Sequence, residues 1–155
     1  MKKFLLIILI VLLTGCTNQE ENVKNEYIAM KNSLLAANII NENSEKLPLD
    51  IIINLDRNND EVITYDVILN NPRENMHDIK AMVVHNYYSE EIFPSIGVFE
   101  EEKNFLINNQ EQQEIKLTGI IETTKNISNI NLEVKVWLQY TNDSGEIKEI
   151  YYKTT

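Results

Sequence analysis

From Leu47 onward apolar residues recur at every second position, and this period of two restricts the fold more than any other feature of the chain. Successive side chains of a β-strand point to opposite faces, so such alternation marks strands with one face in a core. Leu49, Ile51, Ile53 and Leu55 alternate with Asp50, Ile52, Asn54 and Asp56. Ile63, Tyr65, Val67 and Leu69 alternate with Val62, Thr64, Asp66, Ile68 and Asn70. The turn-forming stretch Arg57-Asn58-Asn59-Asp60 lies between the two series, which predicts a hairpin. Asn71-Pro72-Arg73-Glu74-Asn75 then breaks the chain, because Pro cannot donate to a ladder. Residues 77–86 read as a third strand, and Ile115, Leu117, Gly119 and Ile121 mark another. Between them, residues 87–108 are irregular, with short extended pieces expected around 96–99 and 105–107.

The clearest alternation is at 130–140, where Ile130, Leu132, Val134, Val136, Leu138 and Tyr140 share one face. Asp143-Ser144-Gly145 follows, and residues 147–153 form the last strand. A three-residue loop ending in Gly at the left-handed position is a common hairpin connection. That geometry predicts Leu138 opposite Ile150 and Val136 opposite Tyr152 on the inner face, with Trp137 opposite Tyr151 on the outer one. A slip of one residue would bury the wrong set. About seven strands over residues 47–155, with frequent turns, predict a mainly β chain folded as an immunoglobulin-like β-sandwich, preceded by an N-terminal helix or tether. Cys16 is the only cysteine, so the inter-sheet disulfide of antibody domains is absent and the likeness to immunoglobulin and fibronectin domains is architectural.

The chain opens with Lys2 and Lys3, followed by an unbroken apolar run of ten residues, Phe4 to Leu13. A membrane-spanning helix needs about 20 apolar residues, whereas the apolar segment of a secretory signal needs roughly 7–15. Small residues, Thr14 and Gly15, then precede Cys16. The sequence Leu13-Thr14-Gly15-Cys16 resembles the lipobox of bacterial lipoproteins. The resemblance implies that residues 1–15 are a signal peptide removed just before Cys16, whose thiol carries a diacylglycerol. The mature protein is then expected on the extracytoplasmic face of the cell membrane, held there by lipid. Each buried methylene contributes about 0.8 kcal/mol, and two or more acyl chains anchor firmly where one does not.

Loss of Lys2 and Lys3 leaves 12 basic residues against 24 acidic ones, a formal charge of −12 on the mature chain. Such a surface repels phosphate backbones and anionic headgroups, which argues against nucleic-acid binding and polybasic membrane docking. Residues 16–46 read as a lipidated N-terminus with a helical tether. Val23, Tyr27, Met30, Leu34 and Ala37 recur at steps of three and four, one face of a helix over about residues 21–40. The polar run Asn41-Glu42-Asn43-Ser44 is expected to end it. Two roles stay open for this helix: packing on the domain through its apolar stripe, or a stalk that orders only on a partner.

Chemical motifs are sparse. Asp56-x-Asn58-x-Asp60 has the first three spacings of a calcium loop, but Glu61 and Val67 stand where such loops need Gly and a bidentate Glu. A turn rich in Asn and Asp explains the same residues. His77 and His85, on one predicted strand, would point the same way but about 26 Å apart, too far to share a metal. Glu90-Glu91 and Glu100-Glu101-Glu102 read as solvated surface, and neither a glycine-rich phosphate loop nor a Gly-x-Ser-x-Gly elbow occurs. No cofactor, no metal and no enzymatic activity are expected. Aromatic side chains enrich binding surfaces, which makes Tyr87, Tyr88 and Phe93 one candidate patch and Trp137 with Tyr151 a second. For the loop aromatics, the competing reading is that they fold back to close the end of the sandwich. The expectation is a membrane-anchored, non-enzymatic interaction module for a protein or glycan partner. The alternative is an accessory subunit that docks onto a membrane complex through residues 20–42.

The lipid attachment is directly testable. Cys16→Ala should release the protein or leave it as unprocessed precursor, read by fractionation and N-terminal sequencing. Continued fatty-acid labelling of that variant would refute the assignment.

Overall fold

The computed structural model describes residues 21–38, 47–57, 59–87, 92–99 and 103–154. The expectations placed on Cys16, Asn41–Ser44, Asn58, Tyr88, Glu90-Glu91 and Glu100–Glu102 lie outside the described residues. A helix, α1, covers residues 21–36. Among the described residues eight strands follow: β1 (Asp50–Arg57), β2 (Val62–Asn70), β3 (Met76–His85), β4 (Ser95–Ile96), β5 (Asn104–Leu106), β6 (Glu114–Glu122), β7 (Val134–Thr141) and β8 (Ile147–Lys153). They form two antiparallel sheets, one ordered β1-β2-β6 and the other β4-β3-β7-β8, with β5 also pairing with β3.

The inner faces of both sheets meet in one core. β2 contributes Ile63, Tyr65, Val67 and Leu69, β3 contributes Ile79, Ala81 and Val83, and β7 contributes Val134, Val136, Leu138 and Tyr140. Each such side chain, fully buried, contributes about 1.5–3 kcal/mol relative to exposure. The chain is a mainly β, immunoglobulin-like β-sandwich, with a helix laid on one outer face.

Both predicted hairpins form, the second in its expected register. Ile51 faces Leu69 and Ile53 faces Val67 in the first. In the second, Leu138 faces Ile150, Val136 faces Tyr152 and Trp137 faces Tyr151. Gly145 takes φ +79°, the left-handed conformation that closes the turn. The first turn is held by Asn59, whose Oδ1 accepts from the backbone N–H groups of Glu61 and Val62 at 2.8 Å each. This supports the turn reading of the Asn/Asp-rich stretch.

Two strands differ from the alternation. β7 starts at Val134 rather than near residue 130, because a 3-10 turn at Ile127–Asn129 leads into it. Asn86 ends the pairing there: its side chain donates to the Asn131 carbonyl and accepts from the Glu133 N–H, both at 3.0 Å. Ile130 and Leu132 still pack on the core. In β3 the register shifts between His77 and Lys80, with Asp78 at φ +50°. This bulge corrects the expectation that His77 and His85 point the same way. Met76 is buried in place of His77, which reaches out to Asp143 at 2.8 Å, while His85 is buried. An extra residue in one strand inverts the facing of everything before it.

Tyr65 pairs with Gly119 of β6, and its ring occupies the space a side chain there would need. A Cβ at position 119 would lie 2.4 Å from Tyr65 Cζ and Oη. Gly119→Ala should therefore destabilise the domain by about 1–3 kcal/mol through overpacking, seen as a lower urea midpoint. An unchanged midpoint would show that the ring can move aside.

Candidate functional site

β3 is buried on both faces: Ala81 and Val83 turn into the sandwich, while Met82 and Val84 turn outward. Trp137 stands beside Met82 on the same outer face, opposite it in register. Such an apolar face needs cover, and α1 supplies it. Tyr27 and Leu34 are buried against Met82, Val84, Phe93 and Trp137, with Met30 packed alongside. These are positions of the predicted helical stripe, so α1 packs on the domain. A helix of this length is marginal alone in water, and docking is what stabilises it.

Two polar contacts fix its placement. The Tyr27 hydroxyl accepts from the Phe93 N–H at 2.8 Å and lies 3.4 Å from the Phe93 carbonyl. At the other end the Lys135 ammonium donates to the Leu35 and Ala37 carbonyls at 2.7 and 2.9 Å. It satisfies carbonyls left open at the helix C-terminus and places a cation at the negative end of its dipole.

The helix does not cover the outer face completely. Along the sheet the outer side chains form cross-strand rows: Lys80, Gln139 and Glu149, then Met82, Trp137 and Tyr151, then Val84, Lys135 and Lys153. α1 packs over Met82, Val84 and Trp137, and Ala29 and Ser33 line the space that remains beside them. The result is a groove of about 360 Å³. Trp137, Tyr151, Met82, Met30, Leu34 and Val98 form its apolar part, and Glu26, Ser33, Lys80, Gln139 and Glu149 its polar part. Gln139 Nε2 donates to Glu149 Oε1 at 3.1 Å, which orients that carboxylate at the rim.

The predicted aromatic patches fare differently. Phe93 is buried, as is Trp137 at 8% exposure, so neither presents an open aromatic surface. α1 packs over Trp137, and the Phe93 backbone N–H donates to the Tyr27 hydroxyl beneath the helix. Tyr87 is half-buried on the core, with the Lys125 ammonium 5.8 Å from its ring centre. Tyr151 is 46% exposed, and with Trp137 it lines the groove. Glu26, Ala29, Ser33, Lys80 and Glu149 were missed as site residues. Their signal was present in the helical spacing 26-29-30-33 and in the outer-face register of β7 and β8.

No protein-family model and no curated protein matches the chain. Among solved structures, the chain is similar to the crystal structure of Spo0M, a sporulation control protein from Bacillus subtilis, with a TM-score of 0.25 and 13% identity. The match covers 69% of this chain and 48% of that one, about half its length. A likeness of that degree carries no argument about function.

Beneath the Phe93 end of the helix, His85 is 3% exposed between the Tyr65 and Phe93 rings, at centroid distances of 5.3 and 5.0 Å. Its Nδ1 accepts from the Tyr87 N–H at 3.2 Å, and its Nε2 lies 3.3 Å from the Ile120 carbonyl, to which it donates. This fixes the neutral tautomer with the proton on Nε2. Burial holds its pKa below the ordinary histidine value, outweighing those hydrogen bonds. The unfolded chain therefore binds the proton more readily than the folded one. Stability from this group is complete above about pH 6.5 and falls as pH drops below it toward the folded value. Urea midpoints measured from pH 7.5 to 5 should show that decline, and His85→Gln should flatten it. An equal slope in both proteins would place the titration elsewhere.

Proposed function

We propose that this protein is a lipid-anchored bacterial lipoprotein, exposed on the extracytoplasmic face of the cell membrane, that acts as a non-enzymatic binding module through the groove between α1 and the β3-β7-β8 face. The observation that carries the binding reading is the groove itself. Trp137 and Tyr151 lie in it beside Glu26, Lys80, Gln139 and Glu149, a mostly apolar concavity with a few polar groups, as ligand sites usually are. The lipobox-like Leu13-Thr14-Gly15-Cys16 supports the anchor.

The alternative, an accessory subunit docking through residues 20–42, draws on a different surface. The apolar stripe of α1 is engaged on the sheet, but Ile28 and Leu35 are 37% and 41% exposed on the helix. Deleting the segment would strip the cover from Met82, Val84 and Trp137, so point variants separate the readings better. The protein is extracted from its native membrane in mild detergent and weighed by native mass spectrometry. A binding module should carry a ligand adduct that is lost in Ala29→Phe, which fills the groove, and kept in Ile28→Glu/Leu35→Glu. A protein complex lost in the second variant and kept in the first would favour the accessory role and overturn the binding reading.

A further inference from the structure

We infer that the groove between α1 and the sheet takes a small amphipathic organic cation: an ammonium group on a short apolar body. This deepens the reading of the groove as a binding site and rests on it. The charge balance points one way. Two carboxylates, Glu26 and Glu149, line the groove against one ammonium, Lys80. Among the described residues Lys80 forms an ion pair with neither of them, and the Glu26 carboxylate is engaged by no other described side chain. The Glu149 carboxylate is already oriented by Gln139. Tyr151, 46% exposed, adds an aromatic ring to the lining, and aromatic rings attract cations. The formal charge of −10 on the whole chain draws cations and repels anions over longer range.

The rest of the lining sets the body of the ligand. Ala29, Met30, Leu34, Met82 and Val98 offer no side-chain hydrogen bonds, and unbranched methionines adapt to irregular apolar shapes. A glycan would leave hydroxyls unpaired against these residues, and the 8% exposure of Trp137 gives a sugar ring no open platform. A volume of about 360 Å³ holds a small molecule and not a folded partner.

Trp137 is the only tryptophan, so its emission reports on the groove. Full-length protein in phosphatidylcholine nanodiscs is titrated with n-hexylammonium, n-hexanol and n-hexanoate, with empty nanodiscs as the partition control. Hexylammonium should give a saturable change, bind about fivefold or more tighter than hexanol, and weaken with added salt. Hexanoate should bind least. In Glu26→Gln/Glu149→Gln, with an unchanged thermal melt, hexylammonium should fall to the affinity of hexanol while hexanol stays as it was. Hexanol or hexanoate binding as tightly as hexylammonium, or a double variant that keeps the cation preference, overturns the cation assignment and leaves the groove standing as a site. No saturable change with any of the three probes overturns the groove reading as well.

Discussion

Met82, Val84 and Trp137 stand on the side of the five-stranded sheet that faces away from the sandwich core, and no strand of the sandwich can cover them. Left in water, this face would forfeit about 1.5–3 kcal/mol for each large side chain. The N-terminal helix is the answer to that constraint. Its stripe, Tyr27, Met30 and Leu34, has little reason to be helical alone and every reason to be helical on this surface. The polar contacts at its two ends follow from the docking. Tyr27 reaches the Phe93 backbone because its ring is already buried there, and Lys135 reaches the open carbonyls because β7 runs beneath the helix terminus.

The groove is the part of the same interface that the helix leaves open. Tyr27 and Leu34 of α1 seal the sheet, while Ala29 and Ser33 line the groove with Trp137 and Tyr151. Side-chain size along one helix thus separates cover from cavity. The docked helix also bears on the proposed anchor. Residues 21–36 are helical and carry the side chains that dock on the sheet, and only residues 17–20 lie between them and Cys16 in the sequence. On the lipoprotein reading, the domain works close to its bilayer rather than at the end of a long stalk.

Much of this was legible along the chain because it repeats. The β7–β8 register could be read from Gly145 and the alternation on either side of it, and the helical stripe from its three-and-four spacing. The bulge at His77–Lys80 could not. Nothing in HDIKAMVVH marks the extra residue, and the facing of His77 depends on how β3 meets β7 and β5. The early end of the β3–β7 pairing was hidden for the same reason, since Asn86 acts on Asn131 and Glu133, far away in sequence. For Trp137, whether its outer-face patch is open or covered depended on where the helix lies, and only the packed structure places it.

Local words and short periods were settled by the sequence: which stretches are strands, where the hairpins turn, which helix face is apolar, and the Leu13-Thr14-Gly15-Cys16 motif that resembles a lipobox. Each depends on neighbours within a few residues, so the order of letters suffices. What lies over what was decided by the tertiary structure alone. The helix on the outer sheet, the burial of Trp137, and the meeting of Glu26 with Glu149 around one groove join residues more than a hundred positions apart. Such contacts arise from the shape of two packed surfaces, and no local pattern encodes that shape.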